Sequence, residues 1–309
     1  MQENSVKSKV KYFLWELYGE KKPITKLYAS ENYKQLLMSS LPFSDLFDII
    51  EANSNPECRH YLRQIAIPYT QDYLVQSISV LDLDQISNPE ILDKIIFYTA
   101  LIYDPIFKLT EWQSFVTATV EELSLRFHQK VDFRLFTKKP TKLSAAFLAR
   151  AYRILQTLFE IMAEYFLEKK YKPIRHGHYK EEAHYPHAFA CGNRHFTPLS
   201  ITLLYLRILL AFGFPVVAIN MPRHFLLKVN VDWSDLIFDP FHNGMIRDRE
   251  DLLRQLRSHG IPFHAHYFEP CSYEVILKRI VANLIAFYTK TNNKEKLAFL
   301  RSLSYSDHL

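Results

Sequence analysis

Residues 216–241 read VVAINMPRHFLLKVNVDWSDLIFDPF, and the fold is decided here. The apolar runs 216–219, 225–231 and 236–238 are rich in β-branched and aromatic residues and end at turn-like positions, which predicts strands. A turn near Asp232 makes the second and third runs the arms of a hairpin. His224 and Asp239 then stand roughly equidistant from that turn, so antiparallel pairing predicts side chains within reach, roughly 2.6 to 3.2 Å. Strand alternation puts Phe225, Leu227, Val229 and Val231 on the core face and His224 on the other. A carboxylate beside an imidazole fixes its tautomer and stabilises its protonated form, the arrangement that runs a general base. The same pair can equally well rigidify a hairpin without catalysing anything.

Working outward from this stretch, the preceding segment has Thr197 as a helix cap and Pro198 at the first helical position, with Gly213 as the stop. Before residue 170 the pattern is helical. Asn88 and Pro89 open a helix that carries Ile91, Ile95, Tyr98 and Ile102 on one face. Thr110 and Gln113 form a capping-box pattern ahead of Trp112, Val116, Val120 and Leu123. A long helix is predicted over 143–169, with Phe147, Ala151, Leu155, Leu158, Met162 and Phe166 along one side. Residues 169–194 are polar and read as a long loop, 250–258 as a helix, and 273–302 as two helices about a turn near Thr291, Asn292 and Asn293. The fold class is therefore α+β: a helical region over 1–170, a core over 185–270 with a small antiparallel sheet, and a helix pair over 271–309.

Composition agrees with a folded protein: 48% of residues are apolar, 15% aromatic and 23% charged. Glycine is scarce, at six, with one before residue 177 and five from there on. No two form G-x-G and no G-x-x-x-x-G-K-[ST] is present, which excludes the standard dinucleotide and P-loop phosphate sites. The net charge of +5 comes from scattered residues, with only Lys138, Lys139 and Lys142 clustered, so no nucleic-acid partner is expected. Residues 1–22 mix charges throughout without the apolar centre of a signal peptide. The most apolar stretch, 199–221, is interrupted by Arg207, Gly213 and Pro215, which suits a buried helix and strand better than a membrane span. Three cysteines far apart, Cys58, Cys191 and Cys271, argue for a reducing compartment, and a cytoplasmic protein is expected.

A thiol nucleophile gains most at a helix N-terminus, where the dipole lowers its pKa. The 198–212 helix has none there: Cys191 precedes the cap by six residues, and Ser200 in the first turn reads as a polar group satisfying helix-end donors. His176, His178, His184, His187 and His195 crowd one loop around Cys191, a spacing that can bind zinc or copper. No second cysteine lies nearby and no i, i+4 histidine pair sits on a helix, so no metal is assigned and no cofactor is expected.

Four further motifs fall in one order: Thr197-Pro198-Leu199-Ser200-Ile201, Phe212-Gly213-Phe214-Pro215, Asn220-Met221-Pro222-Arg223-His224-Phe225 and Asp239-Pro240-Phe241-His242-Asn243-Gly244. Together they resemble the SirB-type family of transglutaminase-like proteins, and Ile276 to Leu284 continuing through Tyr288 to Leu300 resembles that family's tetratricopeptide-like helix pair. The resemblance covers about residues 185–305 and implies a papain-like core of one helix on a small antiparallel sheet. It places His224 on the family's histidine and Asp239 on its aspartate, while Pro198 or a close neighbour takes the place of the cysteine. Arg223 and Phe196 stand where the family commonly has glycine. What the resemblance implies is a bacterial, non-catalytic transglutaminase-like protein with a protein partner. The alternative is a thiol hydrolase or acyltransferase on peptide-like amides, with Cys191 as nucleophile, His224 as base and Asp239 orienting it.

Overall fold

The structure, a computed structural model, describes residues 50–304 apart from 53, 106, 128–129, 132–133, 138–143, 175–179 and 235. Lys138, Lys139, Lys142, His176 and His178 thus lie outside the described residues. Two compact units are present. One takes in, among the described residues, those from 50 to Val80 together with Leu101–Lys108 and contains helix α1, Pro56–Ser79. Asn55 caps α1, its side chain accepting from the Glu57 and Cys58 amides, and Pro56 fills the first position.

The larger unit, Leu81–Ala100 with Leu109–Leu309, holds everything else described below. Helices α2 (Pro89–Ala100), α3 (Leu109–Phe127), the single turn α4 (Arg134–Thr137) and α5 (Ala145–Glu168) precede the sheet. The Asn88 side chain accepts from the Glu90 amide at 3.0 Å, as the sequence predicts. α3 starts at Leu109, so Thr110 lies inside its first turn instead of capping it. α5 is capped by Ser144 and buries Ala151, Leu155, Leu158, Met162 and Phe166 of the predicted stripe, while Phe147 in its first turn is half-buried.

Strands β1 (Lys172–Pro173) and β2 (His195–Phe196) pair in parallel just ahead of α6, Pro198–Ala211. Over its described residues 180–194, the chain between them is not the solvated loop that its polar composition suggests. Two 3-10 turns, Glu181–His184 and Pro186–Phe189, bury Ala183, Tyr185, His187, Ala188 and Phe189. Tyr185 and Phe189 supply enough apolar surface to outweigh the neighbouring histidines. α6 ends in a Schellman motif: Gly213 at φ 67° lets the Gly213 amide reach Leu210 O and the Phe214 amide reach Leu209 O, both at 3.0 Å.

The sheet follows as an antiparallel meander, β3 (Val216–Met221), β4 (His224–Val229), β5 (Ile237–Asp239) and β6 (Met245–Arg247), in that spatial order. On one face Ile219, Met221, Leu226 and Ile237 pack with Leu252 and Leu256 of α7 (Arg249–Ser258) and with Phe268. On the β5 and β6 side Phe159 of α5 lies 4.0 Å, ring to ring, from Phe238. A Cβ on Gly244 would come within 2.6 Å of Phe159, so the chain after β5 passes α5 too closely for any side chain. The shift from helical to strand periodicity near residue 170 therefore occurs inside one compact unit.

The chain closes with α8 (Tyr273–Lys290) and α9 (Lys294–Ser304), about a turn where Asn292 takes a left-handed conformation. α8 buries Ile276, Leu277, Ile280, Val281, Leu284 and Phe287 in the same unit. Its ends are tied by polar contacts: the Tyr273 hydroxyl donates to Asn88 O at 2.6 Å, and the Tyr288 hydroxyl lies 2.7 Å from that of Tyr185. Glu181 accepts from Tyr288 and from the Lys296 ammonium.

Two stability predictions follow from buried groups. Asp93, 2% exposed, receives Nε and Nη2 of Arg207 at 2.6 and 2.9 Å and the Trp112 indole N–H at 2.6 Å. Asp93→Ala strands a guanidinium and an indole N–H, and should cost about 3–5 kcal/mol in urea unfolding. Adding Arg207→Met should return part of that loss. Burial pushes His187 down to about 3 and His184 down to about 4, the latter despite opposition from Glu181. Between those values and the ordinary 6.5 the unfolded chain binds more protons than the folded one, so stability rises with pH across that window. The melting temperature should accordingly fall as pH drops from 6.5 towards 4. His184→Phe, which keeps a ring against Phe287, should flatten that slope.

Candidate functional site

His224 and Asp239 do lie on adjacent antiparallel strands. The ladder pairs Leu227 with Phe238 and Lys228 with Ile237, which sets Asp239 opposite Leu226 and makes His224 its diagonal neighbour on the same face. The Asp239 carboxylate is 4% exposed. One of its oxygens accepts from the Phe241 amide at 3.1 Å, which opens the 3-10 turn Pro240–His242. The other lies 2.7 Å from Nδ1 of His242, whose side chain is half exposed.

The histidine hydrogen-bonded to Asp239 is thus His242, not His224. The reason is local: the 3-10 turn Pro240–His242, capped by Asp239 itself, brings the residue three positions on back over the carboxylate, and Asn243 at φ 57° and Gly244 at φ 72° then reverse the chain. The pattern Asp239-Pro240-Phe241-His242 carried this signal, an Asx-type turn with a histidine at i+3. To His224 the Asp239 carboxylate is a neighbouring charge. Burial holds the His224 imidazole below its ordinary pKa, Asp239 opposes this, and Arg247, His242 and Arg223 reinforce it.

The start of α6 faces this hairpin. The Thr202 hydroxyl, which donates to Pro198 O at 2.7 Å within the helix, also lies 3.3 Å from Phe225 O, and Phe196 meets the ring of Phe241 edge-on at 6.0 Å. Thr197 and Ser200 form a full capping box: Thr197 Oγ1 accepts from the Ser200 amide, and Ser200 Oγ accepts from the Thr197 amide. Ser200 Oγ also donates to Ala183 O at 2.8 Å. This fully buried hydroxyl is committed to structure, as its position in the first turn suggests. Between the two stands Pro198, exposed, at the first helical position, with no nucleophilic atom.

Cys191 is exposed in the turn after Phe189, where the Gly192 amide bonds Phe189 O and the Asn193 amide bonds Ala188 O. Its sulfur lies within 4.8 Å of a ring nitrogen of His187. Burial keeps that imidazole neutral, so it lends the thiol no cationic partner. Cys58 and Cys271 are buried, and burial pushes the Cys271 thiol up to about 12. Of the remaining loop histidines, His184 packs on Phe287 at 4.4 Å and His195 lies in β2. Within the larger unit, no three His, Cys, Asp or Glu ligand atoms converge among the described residues.

Chemically, the arrangement offers an imidazole–carboxylate pair, His242 with Asp239, and a second half-buried imidazole, His224, beside a helix start that bears proline. It can exchange protons and bind polar groups. Pro198 at the first helical position offers no nucleophilic atom, and the Ser200 hydroxyl beside it is engaged by the cap and by Ala183 O.

Among curated proteins, the chain is similar to a UPF0162 protein of Xylella fastidiosa (strain 9a5c), 31% identical over 107 residues, and to a UPF0162 protein of Xylella fastidiosa (strain Temecula1 / ATCC 700964), 30% identical over 107 residues. Each match covers 33% of this chain and 38% of the relative's length. No solved structure matches. Among the described residues no helix is long and apolar enough to cross a membrane. Residues 115–282, which run from α3 across the sheet into α8, match the Transglutaminase-like superfamily, and the chain belongs to that superfamily.

Proposed function

We propose that this chain is a non-catalytic transglutaminase-like protein, of SirB type, that acts by binding a protein partner. The observation that carries the proposal is Pro198 at the start of α6, flanked by two hydroxyls that satisfy each other and Ala183 O. A thiol protease or acyltransferase needs its sulfur against the imidazole with the helix dipole behind it. Here the first position of the helix that packs beside the histidine and aspartate hairpin is a proline, with no thiol.

In this reading α8 and α9 are the family's tetratricopeptide-like pair, packed on the core along the apolar stripe of α8. Their exposed faces remain available to a partner. A bacterial cytoplasmic setting fits the SirB-type resemblance and the three widely spaced cysteines.

Alkylation of the full chain by iodoacetamide at pH 7 tests the proposal. Cys191 should react no faster than an ordinary exposed thiol, and His224→Ala should leave that rate unchanged. Fast labelling that is abolished by both Cys191→Ala and His224→Ala would overturn the non-catalytic reading and make Cys191, His224 and Asp239 a working triad.

A further inference from the structure

We propose that the outer side of β6 is a docking groove for an extended peptide segment of a partner protein, one that carries an acidic side chain next to an apolar one. The proposal rests on the interaction reading above and gives the partner a chemistry. Two cavities flank β6, of about 660 and about 460 Å³, and Ile246 and Arg247 line both. Because the cavities share these two residues of one strand, an occupant of both must be elongated. An extended chain suits this, since its side chains alternate between opposite sides.

The larger cavity lies between β6, α5 and the β4–β5 turn, with Leu148, Tyr152 and Trp233 among its walls. Leu148 and Tyr152 are each 44% exposed, unusual for large apolar side chains that share one cleft. Trp233 is fixed in place by stacking on Phe136 and by an edge contact with Phe147 at 4.9 Å. A rigid aromatic wall binds an apolar side chain at low entropic cost. The smaller cavity runs between β6 and α7, and Met245, 52% exposed, stands at its rim.

Arg247 sets the charge of the occupant. The register opposite Ile237 plants it in β6, and its hydrogen-bond contact is a weak one, Nη1 to Met245 Sδ at 3.8 Å. Among the described residues no carboxylate forms a salt bridge with it. The nearby acids are committed: Asp248 caps α7 through the Glu250 amide, and Asp251 pairs with Arg254. Arg249 is occupied too, lying over the Phe268 ring at 4.6 Å. A half-buried guanidinium between two cavities, without a carboxylate, is complementary to an incoming carboxylate that can bind it through two nitrogens.

Fluorescence anisotropy on the full chain tests this with two labelled probes, acetyl-Gly-Leu-Asp-Phe-Gly-amide and the same peptide with lysine for aspartate. The aspartate probe should bind at least about tenfold more tightly. Arg247→Gln should erase that preference, and Leu148→Ser, at an exposed position, should weaken both probes; circular dichroism confirms that each variant is folded. Equal binding of the two probes, absence of binding, or an unchanged preference in folded Arg247→Gln overturns the proposal. If Arg247→Gln does not fold, unchanged binding in Leu148→Ser overturns it instead. Thiol labelling reads catalysis independently of peptide binding, so a failure of the groove and a failure of the non-catalytic core are seen separately.

Discussion

Arg207 is the only charged residue in α6, and a helix buried on nearly every side either takes that guanidinium out of water unpaired or brings it a carboxylate. Asp93 of α2 supplies the carboxylate through two parallel hydrogen bonds, with the Trp112 indole of α3 completing the shell. One ion pair therefore sets α2 and α3 against α6, because buried charges tolerate little deviation from a paired geometry. Everything that positions the candidate site then hangs on α6. Its first turn is tied to Ala183 by Ser200, Thr202 one turn on lies against Phe225 of β4, and its last turn reverses at Gly213 to deliver β3. The helix pair at the C-terminus joins the same frame, since Tyr273 bonds the carbonyl of Asn88 at the cap of α2.

Much of this architecture is legible in the sequence because the signals are local. Asn88-Pro89, Thr197-Pro198 and Gly213 announce helix ends through chemistry confined to one turn, and the runs about Val217, Leu227 and Phe238 carry strand periodicity in single short windows. The segment around His187 is misread for the opposite reason. Its burial depends on Tyr185 meeting Tyr288 and His184 meeting Phe287, about a hundred residues away, and no local pattern of polar residues encodes that. The Arg207–Asp93 pair is invisible on the same grounds, separated by 114 positions.

The site is legible to the level of strands and no further. Symmetry about a turn near Asp232 correctly brings His224 and Asp239 to neighbouring strands. Which imidazole takes the carboxylate is decided by backbone that alternation says nothing about, namely the 3-10 turn Pro240–His242, after which the left-handed Asn243 and Gly244 reverse the chain. Gly244 has a second role that the sequence conceals, since only the absence of a side chain lets this turn pass the Phe159 ring. Arg223 at φ 68° holds the third position of the Pro222 turn, where glycine is the easier choice, and sets a second guanidinium charge near His224.

A histidine and an aspartate on neighbouring strands beside a helix start invite a catalytic reading, yet Asp239 has enough structural work to account for its presence. Its buried carboxylate starts the 3-10 turn through the Phe241 amide, and that turn sets the Phe241 ring against Phe196, one residue before the cap of α6. Removing the carboxylate would leave that amide and His242 without their acceptor and loosen the contact that seats the helix start on the hairpin. His224, for its part, closes the two-residue turn opposite Met221, at the rim of the cluster that includes Leu252 and Phe268. Asp239 is therefore tied into the packing of this hairpin on the start of α6. The first turn of α6 carries no thiol, and the exposed proline at its first position is held there by the same cap that fixes the helix.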